Sequence, residues 1–467
     1  MTGTPLERHR EANADAGALA AIRERIEASG VEYLYYQGVT ISGRVIGKVV
    51  PARHLLRNTE RGVQLHRTAA ADLQTTREGQ LLGGGVEAAE FTMMPDLDTF
   101  AVLPWDKTVA RFFCRMYEPG HRPGDGGQPY AGDPRGNLIR VHEAFTAKTG
   151  LELRSGCEPE MTWTGQGLEA KFRPGSSPAY HVEHLERYRP IYQKVIGYAQ
   201  ELGLDMIEGD YEDPGQLELN WMFDHANLTA DRLITYRQVC RQVGRELGVT
   251  PSFMPKPATG MMGNGCHHNV SLWTTGTAPA STGQVNVLAE PGRTDLHLTE
   301  AGRHALGGIL AHAAGGMLVF GPTVNSYKRY WDAGQFAPSQ INWGIDNKTC
   351  TVRLSAVGRL EFKLPDAMVN PYLSHAILIR SVEDGLAANT DPGEPQAGSS
   401  YGGTSKFARL PLTLGEALAV FQEDMVVRSA LGDELSDLLV ACKSDEWARF
   451  CGTVTDWEFQ MYAEAAP

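Results

Sequence analysis

The sequence predicts an α+β protein, with a small N-terminal domain followed by a larger one. Three observations carry that prediction. Before residue 119, a helical pattern gives way to clusters of β-formers separated by Gly. Residues 119–135 concentrate Gly and Pro, which marks a boundary. Beyond it, helical and strand patterns mix without any internal repeat.

In order along the chain, residues 1–12 read as a loose polar tail. Residues 13–28 are Ala-rich and stop at Gly30, as a helix would. Residues 31–36 and 44–51 are strands joined by a turn around Gly38 and Gly43, with further strands at 90–94 and 101–103. The first domain is thus placed at 13–118 and the second at 119–467. In the second, helices are expected over 180–202, stopped by Gly203, and over 229–247, with Gly248 just past the end. More are expected over 299–314 and over 371–384, the latter with Pro at its first position. Residues 389–405 form a Gly/Ser/Pro-rich surface loop, and two terminal helices follow near 414–427 and 434–450.

Composition narrows the function classes. Of 467 residues, 42% are hydrophobic and 21% charged, which excludes collagen-like, low-complexity and wholly disordered chains. Such a length buries a sizeable core without staples. The 43 Lys and Arg against 56 Asp and Glu leave a net charge of −13. That argues against a general nucleic-acid binder or a membrane-surface protein, while leaving room for a local basic cluster. The sequence has no run of ~18 apolar residues, so no membrane span is expected. No apolar stretch follows the first charges, so no signal peptide is read. Seven scattered cysteines without a Cys-x-x-Cys pair fit a reduced, cytoplasmic protein lacking structural zinc.

Several strands carry charge on one face. Side chains alternate along a strand, so Glu158 and Glu160 share a face, as do Gln216, Glu218 and Asn220, then Thr351 and Arg353, and Arg359, Glu361 and Lys363. For any single strand, a solvated outer face explains this. Four such strands, with the Gly-rich segment around His267, support a different arrangement. If the faces converge, Glu158, Glu160, Glu218, Glu361 and His267 line one cavity. Buried carboxylates require compensating charge. Divalent cations supply it, and oxygen ligands with a single His favour Mg²⁺ or Mn²⁺ over zinc. His268 points the other way and is read as a packing residue. The second half also clusters Lys328, Arg329, Lys348, Arg353, Arg359 and Lys363. Cations beside metal-binding carboxylates suit phosphoryl transfer from a nucleotide. No phosphate-binding Gly-rich loop or dinucleotide fingerprint accompanies them.

Taken in order, these motifs resemble the glutamine synthetase family. They are Gly156-Cys157-Glu158-Pro159-Glu160, Pro214-Gly215-Gln216-Leu217-Glu218, Phe253-Met254-Pro255-Lys256-Pro257 leading to His267, Asn325-Ser326-Tyr327-Lys328-Arg329, Asp346-Asn347-Lys348-Thr349 with Arg353, and Arg359-Leu360-Glu361. The resemblance implies an N-terminal β-grasp domain and a C-terminal catalytic domain with a curved antiparallel sheet flanked by helices. It also implies a ring-shaped homo-oligomer, a dodecamer of two hexameric rings. It puts one metal on Glu158, His267 and Glu361 and a second on Glu160 and Glu218. By the same resemblance Arg329, Lys363 and Gly263 meet the substrate. Ser271, Lys348, Arg353 and Arg359 lie on the nucleotide side, and Arg329, Arg353 and Phe336 stand at the reacting groups. The family phosphorylates the γ-carboxylate of glutamate with ATP, and an amine then displaces phosphate.

Some positions depart from the pattern. The family's glutamate in the flap before Ala-Pro is replaced by Phe336, and its Asp-Gly-Ser-Ser loop is not recognisable. An aromatic ring neither binds ammonium as an anion does nor takes its proton. Both departures resemble the branch that joins glutamate to organic amines such as polyamines, ethanolamine, alkylamines or anilines. A further metal glutamate is expected at about Tyr211; Asp210 or Glu212 can fill the role if the loop is re-registered, Glu208 less readily. Met262 stands where an Asn usually helps bind glutamate, and Lys348 replaces an Arg, keeping charge but losing the bidentate fork. Tyr401 lies near a position nucleotidylated in some relatives, in a different local sequence. The alternatives are an ammonia-using glutamine synthetase, a homologue that has lost catalysis and binds a ligand, and a ligase for another carboxylate.

Overall fold

The computed structural model describes residues 3–168, 179–275, 283–331, 336–401 and 406–465. The expected polar tail is instead a helix, α1 (Pro5–Ala12). Thr4 and Glu7 form a capping box at its start, Pro5 occupies its first turn, and Leu6 and His9 are buried. Helix α2 (Ala16–Ser29) is capped by the Asp15 side chain and ended by Gly30 at φ +68.

The hairpin follows as β1 (Tyr33–Val39) and β2 (Val45–Pro51), with Gly43 at φ +78 in its turn. After α3 (Leu55–Arg61) come β3 (Val63–His66), β4 (Glu90–Pro95), β5 (Ala101–Leu103) and β6 (Asp106–Tyr117). The strand order is β2-β1-β6-β4-β3, with β5 on β6. Strands β1 and β6 run parallel, Tyr33 opposite Val109, so the first and last strands are central neighbours, as in a β-grasp. Leu34, Tyr36, Phe91, Met93 and Phe112 fill the core beneath.

The second sheet is assembled from distant segments. Helix α4 (Pro134–Thr149) leads into the long β7 (Leu151–Thr164). The helix expected over 180–202 is two, α5 (Val182–Arg187) and α6 (Arg189–Glu201). Pro190 cannot donate to the preceding turn and disfavours a helical residue before it, so the chain breaks at Tyr188. Next come β8 (Met206–Asp213), β9 (Gln216–Trp221), β10 (Asp224–His225), α7 (Ala226–Leu247), β11 (Thr250–Ser252) and β12 (Cys266–Thr274). Helices α8 (Glu300–Ala311), α9 (Met317–Phe320) and α10 (Ser326–Trp331) precede β13 (Trp343–Ile345), β14 (Val352–Ala356) and β15 (Arg359–Phe362). The order is β13-β14-β15-β12-β7-β9-β8, with β10 and β11 also on β7. Apart from the parallel β13–β14 pair, every named pair in this sheet is antiparallel. The fold class is that expected from the sequence.

Helix α11 (Pro371–Ala388) is the buried spine under this sheet. It crosses α8 so closely that a Cβ on Gly308 would lie 2.0 Å from the Ser381 carbonyl oxygen, and one on Gly385 2.3 Å from that of His304. The expected helix over 414–427 splits into α12 (Leu414–Glu423) and α13 (Met425–Leu431). Asp424 leaves the first and caps the second, accepting from the Val426 and Val427 amides at 3.1 Å. Helices α14 (Asp433–Cys451) and α15 (Asp456–Tyr462) end the described chain. The described part of the 389–405 loop, up to 401, contains neither helix nor strand; 402–405 lie outside the described residues.

The two sheets are tied by buried polar contacts. Arg135 on α4 bonds both Asp96, before β5, and Asp231 on α7, the latter at 2.9 Å through two nitrogens. Tyr372 donates to Asp231 at 2.6 Å. Asn370 donates to the Thr40 and Ile41 carbonyls at 3.1 and 3.0 Å. All seven cysteines are free, and among the described residues no helix is long and apolar enough to cross a membrane.

Candidate active site

The registers of four strand pairs bring the acidic faces together. Glu160 lies opposite Glu218, Glu158 opposite His267, and Asn269 opposite both Glu361 and Gly156. Asp210 lies opposite Glu218 on its other side. One face of β8-β9-β7-β12-β15 therefore carries a continuous band of acids. The opposite face is the core, where Met161, Leu217, Leu219, Tyr211 and Cys266 are buried. His268 also points that way; it is fully buried and bonds to Ser374 at 2.9 Å, as a packing residue should.

The band divides into two trios whose ligand atoms lie within 4.8 Å of one another: Glu158, His267 and Glu361, and Glu160, Glu212 and Glu218. Glu212 thus occupies the place left open in the sequence. Its route there is a β-bulge. The β8–β9 register shifts between Tyr211 and Asp213, so Glu212 is an extra residue opposite the hairpin turn. Tyr211 itself is buried on the core side at 1% exposure, its hydroxyl accepting from the Gly215 amide at 3.0 Å.

Neutral donors hold three of the five acids. Asn269 donates to Glu158 and Asn220 to Glu218, both at 2.7 Å. The Gly265 amide and the Gln216 side chain donate to Glu160 at 2.5 and 3.2 Å. Asn220 shares a strand face with Glu218, as alternation predicts, whereas only strand pairing places Asn269 and Gly265 beside their acids. The His267 ring is bracketed: Nδ1 faces Glu158 and Glu361 at 3.4 and 3.6 Å, and Nε2 accepts from Arg329 at 3.3 Å. A Cβ on Gly265 would sit 2.8 Å from that Nε2 and 2.9 Å from Arg329.

Electrostatics marks this band as incomplete without cations. Burial raises the Glu218 carboxyl well above its ordinary value, and Glu158, Glu212 and Glu160 push it further. Burial, then Glu160 and Asp210, pushes Glu212 up to about 8. Burial also raises Glu160, against the pull of Arg329. His267 is held well below its usual range by burial and by Lys363, which favours the neutral ring that a metal requires. Carboxyls forced to hold protons by one another are the groups that hard divalent cations relieve. The donor set, five carboxylates and one imidazole in two trios, therefore fits two such ions.

The cations expected nearby divide. Lys363 is 3% exposed with Nζ 3.5 Å from Glu361, and Arg353 bonds Glu361 at 2.9 Å while also reaching Asp346. Arg329 is buried and bonded to His267 and to the Lys363 and Leu364 carbonyls. Gly263 abuts it: a Cβ there would lie 2.6 Å from the Arg329 Cγ. Arg359 and Lys348 are exposed. Lys328 is not part of the cluster; it faces away, 5.9 Å from the Phe450 ring.

Beside the first trio is a cavity of about 400 Å³, lined among others by Glu158, Asn269, Ser271 and Arg359. Phe223 and Trp273 form one wall, their rings stacked at 6.1 Å. The Ser271 hydroxyl accepts from the Trp273 indole at 2.9 Å. Phe336 is 49% exposed at φ +59, with the Lys348 Nζ 5.9 Å from its ring. Tyr401 donates to the neighbouring Ala337 carbonyl at 3.0 Å. Gly334 and Gln335 of the flap lie outside the described residues. Tyr180, at φ +63 and with its hydroxyl 3.5 Å from Glu212, is a further aromatic here that the sequence reading did not single out.

A family profile described as glutamine synthetase, catalytic domain, matches residues 131–462. A glutamine synthetase of Rhizobium meliloti (strain 1021) is 34% identical over 381 residues, 79% of this chain and 84% of its own. A glutamate–methylamine ligase of Methyloversatilis universalis is 31% identical over 463 residues, 94% of this chain and 98% of its own. A solved GmaS/ADP complex superposes with a TM-score of 0.82 at 28% identity, covering 94% of this chain and 98% of that one.

Proposed function

The chain belongs to the glutamine synthetase family, and on that premise we propose that it is an ATP-dependent ligase joining the γ-carboxylate of glutamate to an organic amine through γ-glutamyl phosphate. The observation that carries the choice of amine over ammonia is Phe336. Where the family pattern has a carboxylate in the flap, this chain carries a half-exposed aromatic ring. The similarity to a glutamate–methylamine ligase over nearly the whole chain supports the same reading.

The residues divide the work as follows. Glu158, His267 and Glu361 hold one Mg²⁺ or Mn²⁺, and Glu160, Glu212 and Glu218 a second. When bound, such ions neutralise phosphate oxygens and so lower the cost of moving a phosphoryl group. Ser271, Arg359 and the Phe223–Trp273 wall receive the nucleotide. Arg353, Arg359 and Lys348 face its phosphates. Lys363, Arg329 and the bare backbone at Gly263 take the substrate carboxylate. Phe336 packs against the hydrocarbon of the amine and excludes water, which would otherwise hydrolyse the acyl phosphate. Assembly into a large ring-shaped homo-oligomer belongs to the same reading. The exposed Trp457, Phe459 and Tyr462 on α15 support it, since a lone subunit leaves them uncovered.

The test is phosphate release from ATP with glutamate present, across a panel of alkyl, aryl and poly-amines and ammonium, followed by mass analysis of the product. Faster release with an organic amine than with ammonium is expected. Ammonium as the preferred acceptor would reinstate the ammonia-using reading. No release with any amine, while nucleotide still binds, would mean that catalysis has been lost.

A further inference from the structure

Away from the carboxylate trios, a cavity of about 480 Å³ lies where β6 of the N-terminal sheet meets α4 and α7. Its charges do not cancel at depth. Asp96 and Asp231 are both engaged by Arg135, and Asp96 also by Arg115 at 2.7 Å. The other lining acids, Asp98 and Glu143, are exposed to solvent.

Arg111 is left over. It is 5% exposed and bonds only neutral groups, the Thr99 carbonyl at 3.0 Å and the Thr235 hydroxyl at 3.1 Å, with its guanidinium 4.3 Å over the Phe113 ring. Among the described residues it makes no ion pair within 4.0 Å. Asp231 is the nearest negative charge it feels, but Arg135 already engages that carboxylate, and burial of the guanidinium outweighs it. Burial accordingly pulls its pKa down to about 10. Two of its five N–H groups are used, which leaves donors for a ligand. Across the cavity, the Nε of Arg232 is buried without a hydrogen-bond partner, although its NH2 meets Asp224 at 3.2 Å. Phe100, Leu204 and Leu228 give the cavity an apolar flank.

We propose that the cavity between Arg111 and Arg232 binds a small organic carboxylate. The unused N–H groups of Arg111 and the Nε–H of Arg232, whose other nitrogens already meet the Met222 carbonyl and Asp224, suit the two oxygens of a carboxylate. The four acids in the lining oppose a doubly charged phosphate, and the apolar flank accepts a short hydrocarbon tail. The occupant would touch both halves of the chain, Arg111 from one and Arg232 from the other.

Isothermal titration of the full-length protein with sodium butyrate tests this, with butylammonium chloride at matched ionic strength as control. Saturable binding of butyrate and none of butylammonium is expected. Affinity should fall tenfold or more in Arg111→Met and in Leu204→Trp, which fills the cavity without touching a charge. It should persist in Lys363→Met, whose change lies in the proposed substrate site. If Arg111→Met does not fold, Leu204→Trp and Arg232→Met decide. Absence of saturable binding, or its loss in Lys363→Met but not in the cavity variants, would overturn the proposal and leave the ligase reading untouched.

Discussion

At the scale of single residues, the site depends on which side chains face the acids and which face the acceptor. Phe336→Glu restores a carboxylate in the flap. Amine-dependent phosphate release should fall and ammonium-dependent release rise, by about tenfold or more; a variant with unchanged preference would remove Phe336 from acceptor selection. Glu212→Gln should weaken binding of one of two divalent cations by roughly 10–100-fold, read by titration with Mn²⁺, while Tyr211→Phe leaves both in place. Glu212 also sets a pH dependence. Its carboxyl sits at about 8 in the folded chain against an ordinary 4.5. Between those values the folded chain without cations keeps a proton that the unfolded chain has released. Unfolding then releases protons, so stability falls as pH rises through that window, by at most about 1.4 kcal/mol per pH unit, and is highest below it. Urea midpoints measured in chelator should show that decline, and added Mg²⁺ should flatten it.

At the scale of elements, the strands that carry the site were legible because their alternation is strict. Period two alone placed Glu158 beside Glu160, and Glu361 beside Lys363, on shared faces. What alternation does not encode is an irregularity. The bulge that turns Glu212 inward was left among three candidates, since a one-residue slip is invisible without the partner strand. The amide prop Asn269 is hidden for the same reason, since it reaches Glu158 across a strand pair. The first helix was missed although Thr4, Pro5 and Glu7 spell its capping box, because its eight residues are mostly polar. Pro190 and Asp424 likewise announced the breaks in two helices that their apolar spacing ran through. The α8–α11 crossing depends on glycines that no periodicity explains. Gly308→Ala puts a methyl group onto a backbone oxygen and should cost about 1–3 kcal/mol in a urea melt, with metal binding in the surviving folded protein unchanged.

At the scale of the whole molecule, Arg135 joins Asp96 of the N-terminal half to Asp231 and, through it, to Tyr372 on α11. Removing the guanidinium leaves buried Asp231 with the Tyr372 hydroxyl but, among the described residues, no cation within ion-pair distance, and takes one of two arginines from Asp96. Arg135→Met should cost about 3–5 kcal/mol, and calorimetry should show one cooperative transition separating into two. The distribution of the cation ligands has a consequence for biosynthesis. The first trio takes Glu158 from one strand and Glu361 from another translated long afterwards, with His267 between them. A chain still on the ribosome cannot close that trio until Glu361 has emerged and β15 has paired with β12. The ion therefore cannot act as an early folding template, and its tight retention by a newly made chain would report that synthesis had passed that strand.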